Sequence, residues 1–560
     1  MSLAGAVLNA ESEAHRARAS WQNQRPPVSR TKGLAVNSRT WLYPALPPAI
    51  LTLALCVYIL RLPNVLYGTN QYDDGVYMGA ALRLVHGVVP YRDFVMVHPP
   101  GIVLLMAPIA FLGKFAGSNV ALALGRDMTA AVAALNVILV AAVVRHRGRI
   151  ASLVASTAMA CFPMAAASDS TLFLEPYLIL FCLAGLALLF SKGQIAPTRR
   201  VVMAGLAIGF AGTVKVWAAF IVVAAAAVCI RRVKSALLPL IAASATGFAL
   251  PCLPFFALAP RSFLRNILGD QFSRAVRGGA PVSWIVRLIR LTGMEGMTLF
   301  RPTTLGVVIV VVGFALAVLT VLAKKRQSLV PADWMVLSGT VVTIGALWLP
   351  HEMYSHYVYF SAPFLAMLLA LAVSEGLGML PFRDLRNSSR MRAVVAIVGC
   401  AAVAAFLLPQ QAGYARSNLA GAKDATFLNL FVPPHSCILT DNVEPLISAD
   451  LFQPQRKGCP AVTDSFGVWL ADGPAGEPSY SGTSKFGSTV EGPFSSSFVN
   501  RWAGWLDDAD YVVTMAQYSG YIPWTSQLAL WFNANFKVTY QQFGLWIYQH
   551  VGKVPPPVAA

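Results

Sequence analysis

Long apolar runs separated by short basic clusters constrain this chain more than any other feature of it. The runs lie at about 42–60, 120–144, 150–167, 172–190, 201–213, 216–230, 236–258, 303–323, 333–350, 359–379 and 393–409. A helix needs about 20 apolar residues to cross a bilayer. The runs are continuous rather than alternating, which excludes a membrane β-barrel. Only 12% of the 560 residues are charged, against roughly 25% in soluble domains. Between the runs stand Arg145-His146-Arg147-Gly148-Arg149, Lys192 with Arg199-Arg200, Arg231-Arg232-Val233-Lys234, Lys324-Lys325-Arg326, and the basic stretch from Arg383 to Arg392. Lys and Arg in such loops are held on the cytoplasmic side. The pattern predicts an all-α polytopic membrane protein of about 11 transmembrane helices in the cell membrane, with its N-terminus inside and its C-terminus outside. The formal charge of +18 follows these loops and is not gathered on one face, so nucleic-acid binding is excluded.

The same parity assigns the remaining segments. Residues 1–41 are a cytosolic basic tail, and no cleavage site follows the first run cleanly. One apolar run, from Gly101 to Gly113 and interrupted by Pro108, is short enough to be re-entrant or interfacial. Counting it as a span would put Arg145–Arg149 outside and reverse every later loop, so residues 61–119 form one long outer loop. The membrane part covers 42–409. From 410 to 560 the composition shifts to Gly, Ser, Pro, Asp and aromatics. Short β-rich runs appear at 436–440, 461–463, 510–514, 536–540 and 545–548, with a helix expected over 444–451. This predicts a small extracytoplasmic α/β domain, with the Gly/Ser-rich stretch 472–498 as a mobile loop. Six of the eight cysteines lie in or beside spans; Cys437 and Cys459 alone lie outside, where an oxidising compartment favours a disulfide over two buried thiols.

Acidic residues segregate to the outer side. Of the twelve Asp and Glu between 42 and 410, Asp73, Asp74, Asp93, Asp127, Asp169, Glu175, Asp270, Glu295 and Glu352 fall outside, and Asp333, Glu375 and Asp384 fall inside. Ionisable residues against a membrane are costly and mark functional sites, so chemistry is expected on the outer face. Asp73 and Asp74 are the first candidates: either they cap an amphipathic helix over 75–86, or one caps while the other serves as a general base. His98, before Pro99-Pro100, faces the loop from a helix N-terminus, a position that favours anions. Asp169 or Glu175 supplies a second acidic point, and Asp73 with Asp169 could hold a divalent cation such as Mg or Mn. The runs 201–213 and 216–230 are too short to be two full spans; broken helices of this kind line cavities, and Lys215 sits at the break. Lys215 suits a phosphate leaving group, as do His351, Glu352, Tyr354 and His356, although that cluster also reads as an interfacial aromatic belt. The outer loop 260–301 carries Arg261, Arg265, Arg274, Arg277, Arg287, Arg290 and Arg301 against the positive-inside pattern. They either grip a lipid phosphate or rest on anionic head groups.

Asp73-Asp74 with Tyr77, Ala80-Ala81-Leu82-Arg83, Gly87 to Phe94 and His98-Pro99-Pro100-Gly101 together resemble the first outer loop of GT-C superfamily glycosyltransferases. The likeness is greatest to the polyprenyl-phosphate-sugar-dependent group that includes protein O-mannosyltransferases and lipid A aminoarabinose transferase. The tail is similar to that of actinobacterial members through Leu439-Thr440-Asp441-Asn442 and Val462-Thr463-Asp464. The resemblance implies inverting transfer of a sugar, mannose or another hexose or pentose, from a polyprenyl-phosphate donor to a cell-envelope glycan, lipid or protein. It implies Asp73 as base, with Asp74 as cap or second ligand. His98, Arg92, Lys215, Arg274, His351, His356 and Tyr354 would serve the donor phosphate and substrate. The family often has Asp-Glu where this chain has Asp-Asp, and either Asp169 or Glu175 takes the place of its second acid. The rival readings are a flippase or transporter of lipid-linked sugars using the same charged cavity, and an inactive membrane scaffold.

Overall fold

The computed structural model describes residues 46–62, 68–69, 71–270, 282–293, 295, 304–325, 328–376, 389–419, 425–453, 458–473, 494–542, 544–552 and 556. All of them belong to the compact unit Leu46–Ala560. The basic tail, Arg274 and most of the Gly/Ser-rich stretch lie outside the described residues; the stretch's end, from Ser496, opens a helix.

Each apolar run folds as a helix: Leu46–Arg61, Ser118–Val144, Arg149–Ala160, Leu174–Leu189, Thr198–Val214, Ala218–Cys229, Leu238–Leu258, Thr304–Lys325, Pro331–Trp348, Ala362–Gly376 and Ser389–Leu419. Three stretches among the described residues, Ser118–Arg147, Val233–Leu258 and Met391–Pro409, are long and apolar enough to cross a membrane, and shorter apolar helices stand beside them. Exposed Leu51, Leu55, Val223, Leu250, Leu316 and Val341 give these helices an apolar outer surface. Such a surface suits lipid contact, because a soluble protein would bury so contiguous a set. The segment between the first two apolar helices contributes two more, Tyr72–Val85 and Gly101–Ala116.

The tail forms a four-stranded sheet of β3 (Ile438–Thr440), β4 (Tyr511–Thr514), β5 (Phe536–Gln542) and β6 (Leu545–His550), in the order β3-β4-β6-β5. β3 runs parallel to β4, and the other pairs are antiparallel. A two-stranded hairpin, β1 (Phe190–Ser191) with β2 (Gln194–Ile195), joins two apolar helices elsewhere. The expected strand at 461–463 is not one: Val462 and Thr463 instead accept hydrogen bonds from Arg83. Trp502, Phe498, Phe532, Val512 and Tyr548 build the domain's own core, and Cys437 is disulfide-bonded to Cys459, with 5.3 Å between their Cα atoms.

The helix Tyr72–Val85 carries the sheet domain on one side. A Cβ at Gly75 would lie 2.6 Å from the backbone nitrogen of Glu444, so only glycine lets the two segments meet there. One turn on, Gly79 faces Thr463, Val443 and Phe452. Arg83 then donates to Thr463 Oγ1 at 2.9 Å and to Val462 O at 3.2 Å, and lies over the Phe452 ring. Glycine four residues apart gives a flat stripe that permits close approach of backbones.

Candidate active site

The two adjacent carboxylates do not share a site. Neither caps its helix: Gln71 is the N-cap and makes no side-chain cap bond, so Asp73 and Asp74 lie inside the first turn, where the helix dipole favours negative charge. Successive helical residues point about 100° apart, and that rotation separates the pair. Asp74 turns inward and is almost fully buried. Its Oδ2 pairs with Arg126 Nε at 2.7 Å, and its Oδ1 accepts from Leu172 N at 2.8 Å. Arg126 also pairs with Glu444 at 2.7 Å and donates to Gly68 O at 2.8 Å. Asp74 is therefore a structural ion, not a catalytic one, because both its oxygens are committed to the cluster.

Asp73 is half-buried and faces a cavity of about 310 Å³. In the helical part of the chain the cavity is lined by Asp73, Tyr77 and His98 of the 61–119 segment, Phe173 and Glu175, Lys215, and Tyr354, His356 and Tyr357. Lys215 sits at the break between the helices Thr198–Val214 and Ala218–Cys229, in extended backbone. Its Nζ lies 2.5 Å from Glu175 Oε1, and 3.7 Å and 4.2 Å from the ring centres of Trp217 and Tyr357. A buried ammonium needs such a counter-charge and ring faces to offset desolvation. His356 Nε2 stands 4.0 Å from the same Glu175 oxygen, and its ring stacks on Phe173 at 4.5 Å. Tyr91 Oη donates to His98 O at 2.6 Å, fixing the turn that brings His98 to the cavity beside Tyr77.

The open choice between the two later acids resolves on geometry. Glu175 lines the cavity; Asp169 is buried 3.6 Å from Arg61, in a cluster where Arg61 also donates to Gln411 at 2.9 Å. Asp169 thus stands beside Arg61 and does not line the cavity that Asp73 faces. Among the described residues no group of three or more His, Cys, Asp or Glu is placed to hold a metal ion. Arg92 and His351 also fall elsewhere. Arg92 pairs with its neighbour Asp93 at 2.7 Å and lines a different cavity. His351 is exposed, and its carbonyl accepts from Arg287 at 2.9 Å. Arg287 also donates to Leu347 O at 2.8 Å and Pro350 O at 2.5 Å, and Arg290 pairs with Glu295 at 3.0 Å, so the described outer arginines brace protein carbonyls and carboxylates rather than the cavity. Arg274 lies outside the described residues.

Gln71, Tyr72, Phe173, Asp464, Phe466 and Tyr521 also line the cavity, and the sequence reading placed none of them in the site. Asp464 caps the helix Ser465–Asp472 by accepting from Gly467 N at 2.7 Å, and also accepts from Tyr72 Oη at 3.0 Å. Tyr72 Oη in turn accepts from Phe466 N at 2.8 Å, and the Tyr72 and Tyr521 rings lie 5.6 Å apart. The sheet domain thus forms one wall of the cavity. The sequence signal was Val462-Thr463-Asp464 before a helical stretch, an N-cap pattern.

A carboxylate, an imidazole and a buried lysine around one aromatic cavity suit displacement at a carbon bearing a phosphate. The sequence model of Glycosyltransferase family 87 matches residues 96–374. Solved structures agree on the fold. ArnT from Cupriavidus metallidurans, bound to undecaprenyl phosphate, superposes with a TM-score of 0.54 at 14% identity, over 93% of this chain and 100% of that one. The Archaeoglobus fulgidus oligosaccharyltransferase, tethered with an acceptor peptide, superposes with a TM-score of 0.50 at 13% identity, over 85% of this chain and 69% of that one. No curated protein matches the chain. The chain is a membrane glycosyltransferase, and its fold is that of these two solved structures.

Proposed function

We propose that the chain moves a sugar from a polyprenyl-phosphate donor to a cell-envelope acceptor on the outer face of the membrane, with inversion and with Asp73 as general base. The convergence of Asp73, His98, Glu175, Lys215 and His356 on one cavity carries this reading. Asp73 takes the proton of the acceptor hydroxyl as its oxygen bonds to the anomeric carbon. The sugar–phosphate bond breaks in the same step, with oxocarbenium character developing between the two. The freed phosphate takes up the electron pair beside Lys215, with His98 and His356 as further donors. Stabilising charge where it develops is the larger part of such catalysis. Glu175 holds Lys215 charged and in place. The aromatic lining from Phe173, Tyr354 and Tyr357 excludes water from the reacting carbon. The undecaprenyl phosphate held by ArnT, whose fold this chain shares, supports a lipid-phosphate donor. Asp169, beside Arg61 and away from the cavity, takes no part in the step.

The eleven-span topology accompanies this reading. It places Arg145–Arg149 in the cytoplasm and the cavity and sheet domain outside. Cysteines introduced at Gly148 and at Gly504 are expected to label from opposite sides of the membrane; labelling from one side contradicts the topology. The reaction itself is tested by reconstituting the full chain with radiolabelled polyprenyl-phosphate mannose or arabinose and a cell-envelope extract. Label leaving the lipid for the glycan, lipid or protein fraction is the expected result. Translocation of the lipid-linked sugar with no transfer would favour the flippase.

A further inference from the structure

A second cavity, of about 330 Å³, backs onto the catalytic one. The two share the same pair of walls. Along the outer loop, residues 91–95 line the second cavity and Val97 and His98 line the first. Along the helix Ser465–Asp472, Phe466 faces the first, and Val468, Ala471 and Asp472 face the second. Six residues of helix, at a rise of 1.5 Å each, separate Phe466 from Asp472 by about 9 Å. A short chain molecule reaching from one cavity to the other covers that distance.

The second cavity's polar groups are mixed in sign and already paired. Asp472 bridges Arg265 at 2.9 Å and Arg501 in a closer contact. Across from them Arg92 pairs with Asp93 at 2.7 Å. The Arg92, Arg265 and Arg501 side chains remain 45%, 54% and 40% exposed, so the site opens to the outer solution. Trp505 supplies an aromatic face, with the Arg501 guanidinium 6.0 Å from its centre. Asp93 and Asp472 already hold the three guanidiniums, so a phosphate would have to compete with these carboxylates for them. A polyhydroxylated ring fits, because each hydroxyl both donates and accepts and so uses carboxylate and guanidinium together. The ring's C–H face packs on the electron-rich face of an indole. The volume falls at the lower end of the range for small-ligand sites.

We propose that this cavity, built on Arg92, Asp93, Arg265, Asp472, Arg501 and Trp505, binds a sugar unit of a neutral glycan acceptor whose reactive end lies at Asp73. It makes the sheet domain the reader of the acceptor, and it rests on the acceptor reading given above. The domain's contacts with the outer loop, through Glu444, Thr463 and Asp464, then hold reader and catalyst in register.

The test uses the purified full chain in lipid nanodiscs and three neutral tetrasaccharides, of gluco-, manno- and arabino-configured units. Saturation-transfer NMR reads binding directly. The wild type is expected to bind at least one of them, and Asp73→Asn to bind it equally. Trp505→Ala and the exposed Arg501→Gln are expected to weaken that binding at least tenfold. In the transfer assay the same two variants should raise the acceptor KM about tenfold, with the donor KM and kcat within twofold of wild type. Failure of the wild type to bind any of the three, or equal binding by the Trp505 and Arg501 variants, overturns the inference. Oligosaccharide binding that these variants abolish, by a wild type that transfers no sugar, would uphold the site and refute the reaction. Transfer with an acceptor KM unchanged in both variants would uphold the reaction and refute the site.

Discussion

Asp73 and Asp74 differ by one position and by almost everything else. One looks into a cavity open to substrate. The other, about a third of a turn round the helix, seals an ionic cluster with Arg126 and Glu444 that joins the outer loop, a membrane helix and the sheet domain. The proposed reaction uses the carboxylate at the cavity, and the carboxylate in the cluster is neutralised by Arg126. The same division recurs with Glu175 and Asp169: the first pairs with Lys215 at the cavity, the second with Arg61 away from it. Paired acids in such a chain are therefore sorted by which cation the fold places opposite them, not by their order in sequence.

Substitutions can break this comparison, and the largest effect is expected on the structural side. Asp74→Ala leaves Arg126 buried beside a lost partner, a change that costs about 3–5 kcal/mol. It should abolish folded protein, read as loss of detergent-solubilised monodisperse chain. Folded and active protein would remove Asp74 from the structural role. Lys215→Met leaves the buried Glu175 without its counter-charge, so it should lower the thermal transition as well as slow transfer about a hundredfold, since removing one donor to a developing charge costs on the order of 3 kcal/mol. A large loss of stability with no loss of rate would make Lys215 a structural ion like Arg126.

A third carboxylate sharpens the contrast. Asp441, beside β3, is buried with no ion pair to a cation among the described residues and accepts from Met515 N at 3.1 Å; burial pushes its pKa up to about 6 from the ordinary 3.8. The folded state holds that proton more tightly than the unfolded one. Its contribution to stability is therefore full below about pH 3.8, is lost as pH rises through 6, and is absent at pH 7. Asp441→Asn should remove this dependence, which amounts to about 3 kcal/mol in full and about 1 kcal/mol between pH 5 and pH 7, as seen by comparing melting at those two pH values. Identical pH profiles for variant and wild type would show that Asp441 keeps its ordinary pKa. The smallest effect is expected from Tyr72→Phe. It loses the bond to Asp464, worth about 1 kcal/mol, and should raise KM a few-fold without changing the fold. An unchanged KM would detach the Tyr72–Asp464 contact from substrate binding.

The helices were legible because each apolar run is long and unmixed, and because basic clusters mark the loops. Asp73, His98, Glu175, Lys215, Tyr354 and His356 were legible for a related reason: each polar residue stands at a break in apolar sequence, where the fold must give it a partner or a cavity. Burial by distant partners was not legible. Arg126 follows an apolar run within a single helix, and nothing local says that Asp74 and Glu444 will meet it. Arg61 and Asp169 are separated by more than a hundred residues. The share of the sheet domain in the cavity was hidden for the same reason: Gly75 and Gly79 permit the docking, but only the docked partner shows what they permit.

Sugar transfer by Asp73→Asn, at a folded yield matched to wild type, tests the central claim most directly. The account predicts transfer from the labelled polyprenyl-phosphate donor reduced about a thousandfold, in line with loss of a general base, with the melting temperature unchanged. Transfer within threefold of wild type would contradict it and return the base to another group at the cavity.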